Sequence, residues 1–299
     1  MNLTRILCPV DFSEASRHAI EQAVVVAGYY KSRITALHVL TPLTLAVPGM
    51  ASSSDEVSEL DRLRRLTTAE FAAPAAKGIG LDVLIDVGQP AGLILERATS
   101  LPADLVVMGT HGTSGFQHFL LGSITEKVLR KASCPVLTVP PHVHATSQLP
   151  FKRLLCAVDF ADPSLDAVRW ALSLAGESGA RLTLVHVLEW PWNEPPPPIL
   201  EELPAEQGVA LAEFRRYSEE SAKKRLESLI PDSVSASQVA TTLRNGKPHV
   251  QILQVAAEEQ TDLIVIGVYG RNPVDVALFG STTNQVVRRA TCPVLTLRR

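Results

Sequence analysis

Short apolar runs alternate along the chain with longer stretches whose apolar residues recur every three or four positions. The first run, residues 5–10, has strand length, and Asp11 follows at its carboxyl end. In residues 13–30, Ala15, Ala19, Ala23, Val26 and Ala27 recur at helical spacing, and Ser13 stands where it would cap the first turn. Residues 34–40 read as a second strand, the alternating 81–87 as a third, and 104–108 and 136–139 as a fourth and fifth. Helical periodicity occupies 55–76, 91–98 and 122–132 between them. Five strands separated by helices predict a parallel sheet covered on both faces, because parallel neighbours need crossover connections. A ligand of such a sheet sits beyond the carboxyl ends of the strands, where the strand order reverses. Asp11, Val39 and Gly109 belong to that edge.

The pattern then repeats. Arg5-Ile-Leu-Cys-Pro-Val-Asp11-Phe returns as Arg153-Leu-Leu-Cys-Ala-Val-Asp159-Phe at an offset of 148, and residues 103–139 return as 261–297 at an offset of 158. A repeat of this length defines two domains, 1–140 and 151–299, joined by the proline-rich linker 141–150. In the second copy the first helix opens at Asp162-Pro163, read as an N-cap followed by proline at the first helical position. Its additional residues include Trp190, Trp192 and Pro195 to Pro198. The stretch 189–204 reads as a solvated loop, with a lid or a docking surface as alternatives.

Composition narrows the classes. A hydrophobic content of 46% with 20% charged residues is that of an ordinary globular protein, and 299 residues agree with two domains. A net charge of −3 without a dense Lys/Arg stripe argues against nucleic acid as a partner. No apolar segment approaches the roughly 20 residues needed to cross a bilayer, and residues 1–8 lack the pattern of a signal peptide, so no membrane partner and a cytoplasmic location are expected. Cys8, Cys134, Cys156 and Cys292 form no C-x-x-C and read as small buried hydrophobes.

The candidate chemistry is a spacing, Gly-x2-Gly-x9-Gly-Ser, present as Gly109, Gly112, Gly122 and Ser123 and again as Gly267, Gly270, Gly280 and Ser281. Glycines there let the backbone approach a ligand and adopt positive φ. Each Gly-Ser opens a helix, so free N–H groups and the positive end of the dipole favour an anion, above all a phosphate. The structural alternative is that the serines cap helices and the glycines make turns. Two copies of the whole spacing, each after a strand and before a helix, favour phosphate. Neither G-x-x-x-x-G-K-[ST] nor G-x-G-x-x-G occurs, so hydrolysis of the P-loop kind is not indicated. His38 and His186 read as packed strand residues. His111 and His118 of the first copy, replaced by Tyr269 and Val276 in the second, leave a catalytic role open there. No Ser/His/Asp or paired-carboxylate set recurs in both copies, which argues against a dedicated fast enzyme.

From Leu7-Cys-Pro-Val-Asp11 through the glycine motif to the Cys-Pro-Val-Leu that ends each copy, both halves resemble the universal stress protein family, and the whole chain resembles its tandem members. The resemblance implies two tandem Rossmann-like domains, each a five-stranded parallel sheet with helices on both faces. It also implies that the closing strands 136–139 and 294–297 pair, making an intramolecular pseudo-dimer, with further homodimerisation plausible. The implied cofactor is ATP, its phosphates accompanied by Mg²⁺ or Mn²⁺. Carried over by position, Val10, Val39, Val158 and Val187 would line the base pocket, and Asp11 and Asp159 would contact the nucleoside. The motif glycines with Ser123 and Ser281 would hold the phosphates. Arg271 follows the second glycine where the first half has Thr113, so it could neutralise γ-phosphate charge and tighten the second site.

The expected function is an ATP-binding stress-response regulator. Nucleotide occupancy or slow hydrolysis would set a conformation read by an unidentified protein partner, with weak ATPase activity at most. Two other readings stand beside it: an adenine-nucleotide hydrolase or transferase, and a nucleotide-free scaffold.

Overall fold

The computed structural model describes residues 2–41, 53–71, 78–111, 121–141, 151–189, 205–232, 234–235, 237–268 and 280–298. The first half contains β1 (Arg5–Val10), α1 (Glu14–Tyr30), β2 (Arg33–Leu40), α2 (Ser53–Glu70), β3 (Leu81–Val87), α3 (Pro90–Ser100), β4 (Leu105–Gly109), α4 (Ser123–Lys131) and β5 (Val136–Val139). The second half repeats this as β6 (Arg153–Ala157), α5 (Asp162–Ser178), β7 (Arg181–Leu188), α6 (Ala205–Glu227), β8 (Val239–Asn245), α7 (Pro248–Glu258), β9 (Leu263–Val268), α8 (Ser281–Arg289) and β10 (Val294–Arg298).

All ten strands join one sheet in the order β3-β2-β1-β4-β5-β10-β9-β6-β7-β8. Pairing within each half is parallel, as the strand–helix alternation requires. The halves meet through an antiparallel pair, Leu137 opposite Leu295 and Thr138 opposite Val294. Thr138 Oγ1 donates to the Val294 carbonyl at 3.1 Å, and Thr296 Oγ1 donates to the Val136 carbonyl at 3.1 Å. The expected pseudo-dimer is therefore built by the two closing strands, which cover each other's edges.

The central strands are buried on both sides, so they read as continuous apolar runs such as Leu105-Val106-Val107. On one face α1 and α5 pack over a cluster that crosses the junction and includes Val26, Leu137, Leu174 and Leu295. On the other, a cluster including Val106, Val128, Ile264 and Val286 lies beneath α3, α4, α7 and α8. Tyr29 Oη donates to the Glu177 carbonyl and Tyr30 Oη to Glu177 Oε2, both at 2.9 Å, fastening α1 to α5. The four cysteines are free thiols. Burial pushes the Cys8 thiol up to about 12, which suits an inert packing residue.

The start of α5 differs from the sequence expectation. Ala161, not Asp162, is the N-cap, and Asp162 is the first helical residue. The Ala161 carbonyl accepts from Ser164 N at 2.9 Å and Leu165 N at 3.0 Å, so helical hydrogen bonding begins one residue earlier. α2 runs from Ser53 to Glu70, and residues 72–76 of the expected helix lie outside the described residues. The proline-rich linker from 142 and the Trp/Pro stretch from 190 lie outside the described residues.

Candidate functional site

The strand order reverses between β1 and β4 in the first half and between β6 and β9 in the second, and a crevice opens at each reversal. The first, about 380 Å³, gathers Val10, Asp11, Val39, Gly109, Gly122 and Ser123. The second, about 490 Å³, gathers Val158, Asp159, Val187, Gly267, Gly280 and Ser281. Residues scattered over more than a hundred positions thus converge twice at the expected edge. Gly112, Gly270 and Arg271, with Thr113, His118, Tyr269 and Val276, lie outside the described residues.

One wall of each crevice is a helix start. Gly122 and Gly280 are the N-caps of α4 and α8, and neither helix has a side-chain cap. The first-turn N–H groups are left to whatever enters the crevice, with the positive end of the dipole behind them. Thr125 Oγ1 donates to the Gly109 carbonyl at 2.9 Å, and Thr283 Oγ1 to the Gly267 carbonyl at 3.2 Å, pinning each helix start to the end of a strand. The first turn of α4 also carries Glu126, paired with Arg130 at 2.6 Å, whereas the first turn of α8 has no acidic residue.

The opposite wall is the turn after β1 or β6. Asp11 Oδ1 accepts from Ser13 N at 3.0 Å and from Ser13 Oγ at 2.6 Å, while Asp11 N donates to Ser16 Oγ at 3.3 Å. Asp159 Oδ1 accepts from Ala161 N at 3.1 Å, and Asp159 N donates to Ser164 Oγ at 3.2 Å. Each aspartate therefore spends one carboxylate oxygen on its turn. Among the described residues the other, Oδ2, has no partner. Turn-former and ligand acceptor are compatible roles for one carboxylate.

The glycines work differently from the sequence expectation. None of Gly109, Gly122, Gly267 and Gly280 has positive φ. A Cβ on Gly109 would stand 2.9 Å from the Ala15 carbonyl carbon, and one on Gly267 only 2.5 Å from the Pro163 carbonyl carbon. These two glycines admit the first turns of α1 and α5 against the strand ends; the close approach is made by a helix. Gly280 has open space around it, its nearest neighbour being Thr283 Oγ1 at 3.9 Å.

Sequence reasoning missed a further device. Phe12 and Phe160, next to the aspartates, both adopt the left-handed conformation, φ 65° and 63°, which bulky residues seldom take. Each ring packs on a histidine: Phe12 on His38 with centroids 4.8 Å apart, Phe160 on His186 at 4.5 Å. The histidines reach back to the strand ends, His38 Nδ1 to the Val10 carbonyl and His186 Nδ1 to the Val158 carbonyl, each at 2.7 Å. A carbonyl only accepts, so Nδ1 carries the proton. Burial lowers the His186 pKa and the Arg225 charge adds to this, against the opposing pull of the Val158 carbonyl and Asp159. The signal was the recurrence of Asp-Phe and of the strand histidine at one offset. His111 Nδ1 lies 2.9 Å from Thr110 Oγ1 beside the first crevice.

Two parallel half-sheets of order 3-2-1-4-5 within the one sheet, each with a crevice at its switch point walled by an uncapped helix start, define a tandem Rossmann-like protein. The family model described as "Universal stress protein family" matches residues 2–140 and again 150–298, and the chain belongs to that family. A universal stress protein of Mycolicibacterium smegmatis is 27% identical over 305 residues, spanning 98% of this chain and 96% of its own. One from Methanocaldococcus jannaschii is 31% identical over 137 residues, covering 45% of this chain and 81% of its own. The crystal structure of a universal stress protein from Archaeoglobus fulgidus superposes with a TM-score of 0.69 at 23% identity, covering 100% of both chains. No helix among the described residues is long and apolar enough to cross a membrane.

Proposed function

We propose that each crevice binds a nucleotide, ATP in the first instance, and that occupancy sets the conformation of a stress-response regulator. The observation that carries this reading is the pairing, in both halves, of an uncapped helix start with a half-engaged aspartate across one crevice. Phosphates fit the N–H groups of Ser123 to Thr125 and of Ser281 to Thr283. The Oδ2 atoms of Asp11 and Asp159, poor neighbours for phosphate, are acceptors for ribose hydroxyls or an adenine amino group. Val39 and Val187 give apolar wall for a base. Crevices of 380 and 490 Å³ have the size of small-molecule sites.

A divalent cation would arrive on the phosphates. Among the described residues no three His, Cys, Asp or Glu side chains form a metal-binding group, so the nucleotide would supply part of its coordination. Among the described residues no base–nucleophile pair stands in both crevices, which supports a reading with slow hydrolysis and binding as the main event. The test is to purify the full chain, denature it and identify released nucleotide by mass spectrometry. ATP or ADP at one to two per chain is the expected result. None released, with no binding at millimolar ATP, would remove the reading.

A further inference from the structure

The two sites differ behind the aspartate turn. In the second half the Arg225 guanidinium carbon lies 4.0 Å from the centre of the Phe160 ring, and His186 packs against the same ring. Arg225 comes from α6, in the last turn. Among the described residues its guanidinium makes no ion pair. In the first half α2 stands where α6 does: buried Leu63 corresponds to buried Ala222 and buried Thr67 to buried Leu226, both at an offset of 159. That register puts Leu66 at the position of Arg225, with more than a third of its surface exposed. Phe12 keeps the left-handed backbone and the histidine, but among the described residues no cation is recorded over its ring.

A bulky residue at positive φ persists only where its surroundings hold it. Phe160 is held by its packing on His186 and by the cation–π contact of Arg225. Its neighbour Asp159 is the residue that faces the ligand. We propose that Arg225 is the positioning residue of the second site: by clamping Phe160 it pre-organises the Asp159 turn, and this makes the second site the tighter of the two. Ordering the turn before the ligand arrives removes part of the cost of binding. The proposal rests on the nucleotide reading of the crevices for its affinity consequence, but its structural half does not.

The test uses the full chain with two readouts. Photolabelling with 8-azido-ATP, the modified peptides mapped by mass spectrometry, gives a half-saturation for each half. Amide hydrogen exchange of residues 159–164 reports the turn without ligand. Arg225→Leu, which copies the first half, should raise the second-half half-saturation about fivefold, a typical value for losing one such contact. It should also speed exchange at 159–164 and leave first-half labelling unchanged. Arg225→Lys should restore part of both effects, and Leu66→Arg should lower the first-half half-saturation. A merely structural Arg225 would not produce that last gain. Unchanged second-half labelling in Arg225→Leu, or equal loss in both halves, would overturn the proposal. If neither half is labelled in the parent chain, the nucleotide reading fails, and unchanged exchange in Arg225→Leu would separately overturn the clamp.

Discussion

At the scale of single residues, the glycines that look most like ligand contacts divide into two kinds. Gly267→Ala forces a methyl group to 2.5 Å from backbone and should destabilise the protein by at least about 2 kcal/mol. Gly109→Ala, with its nearest contact at 2.9 Å, should cost less. Gly280→Ala meets nothing closer than 3.9 Å and should stay within about 1 kcal/mol of the parent while still altering the wall of the crevice. Urea unfolding without ligand checks the order, and equal costs at positions 267 and 280 would contradict it. The spacing was legible in the sequence, and its convergence on the sheet edge followed from topology. The reason for each glycine was not, because the atoms crowding Gly267 belong to Pro163 and Ser164, a hundred residues away. The same holds for Phe160: its ring packs on His186 and under Arg225, neither of them local in sequence.

At the scale of elements, the paired copies act as internal controls. Ser13 caps α1 by accepting from Ser16 N at 3.1 Å, while the corresponding Ala161 of α5 cannot. Ser13→Ala should cost about 1 kcal/mol and Ala161→Ser should gain a similar amount in urea unfolding. No gain at 161 would show that the turn around Asp159 already satisfies the helix start. A second pair lies at the opposite edge of the sheet. Asp104 accepts from Thr4 N at 2.7 Å, Thr4 Oγ1 at 2.8 Å and Arg5 N at 2.9 Å; Asp262 accepts from Lys152 N at 2.8 Å and Arg153 N at 3.1 Å. Burial works upward on both carboxyl groups. At Asp104 the Thr4 and Arg5 bonds together outweigh it and the pKa falls, whereas at Asp262, without a threonine hydroxyl, burial prevails and the pKa rises.

The signs are therefore opposite. Asp104 contributes stability that is present above the unfolded carboxylate pKa and lost as pH falls through its lower folded value. Asp262 contributes stability present below the unfolded pKa and lost as pH rises through its higher folded value. Asp104→Asn should weaken the acid-induced loss of stability and Asp262→Asn should deepen it, measured by urea midpoints between pH 7 and pH 3. Shifts of the same sign in both variants would contradict this. The elements themselves were readable from periodicity, with ends moved by no more than two residues apart from the end of α2. The start of α5 moved because Asp159, two residues upstream, takes the Ala161 N–H.

At the scale of the whole molecule, the duplication places two crevices on one ten-stranded sheet joined by β5 and β10. Leu137 and Leu295 face each other in that seam, both buried. A chain of residues 1–141 alone would leave the β5 edge bare and should associate as a homodimer in light scattering; a stable monomer would show that the seam is not self-complementary. The repeat made the two halves and their closing strands evident from sequence alone. The differences between the halves at Arg225 on α6 and Glu126 on α4 were not legible, since they stand out only against their counterparts after folding.

The central claim, two nucleotide sites built around Asp11 and Asp159, is tested most directly by calorimetric titration of the full chain with ATP and Mg²⁺ beside Asp11→Ala, Asp159→Ala and the double variant. The account predicts a stoichiometry approaching two, one site lost in each single variant, the greater loss of affinity with Asp159→Ala, and no binding in the double variant. Undiminished binding in the double variant, or no heat from the parent protein at millimolar ATP, would contradict it.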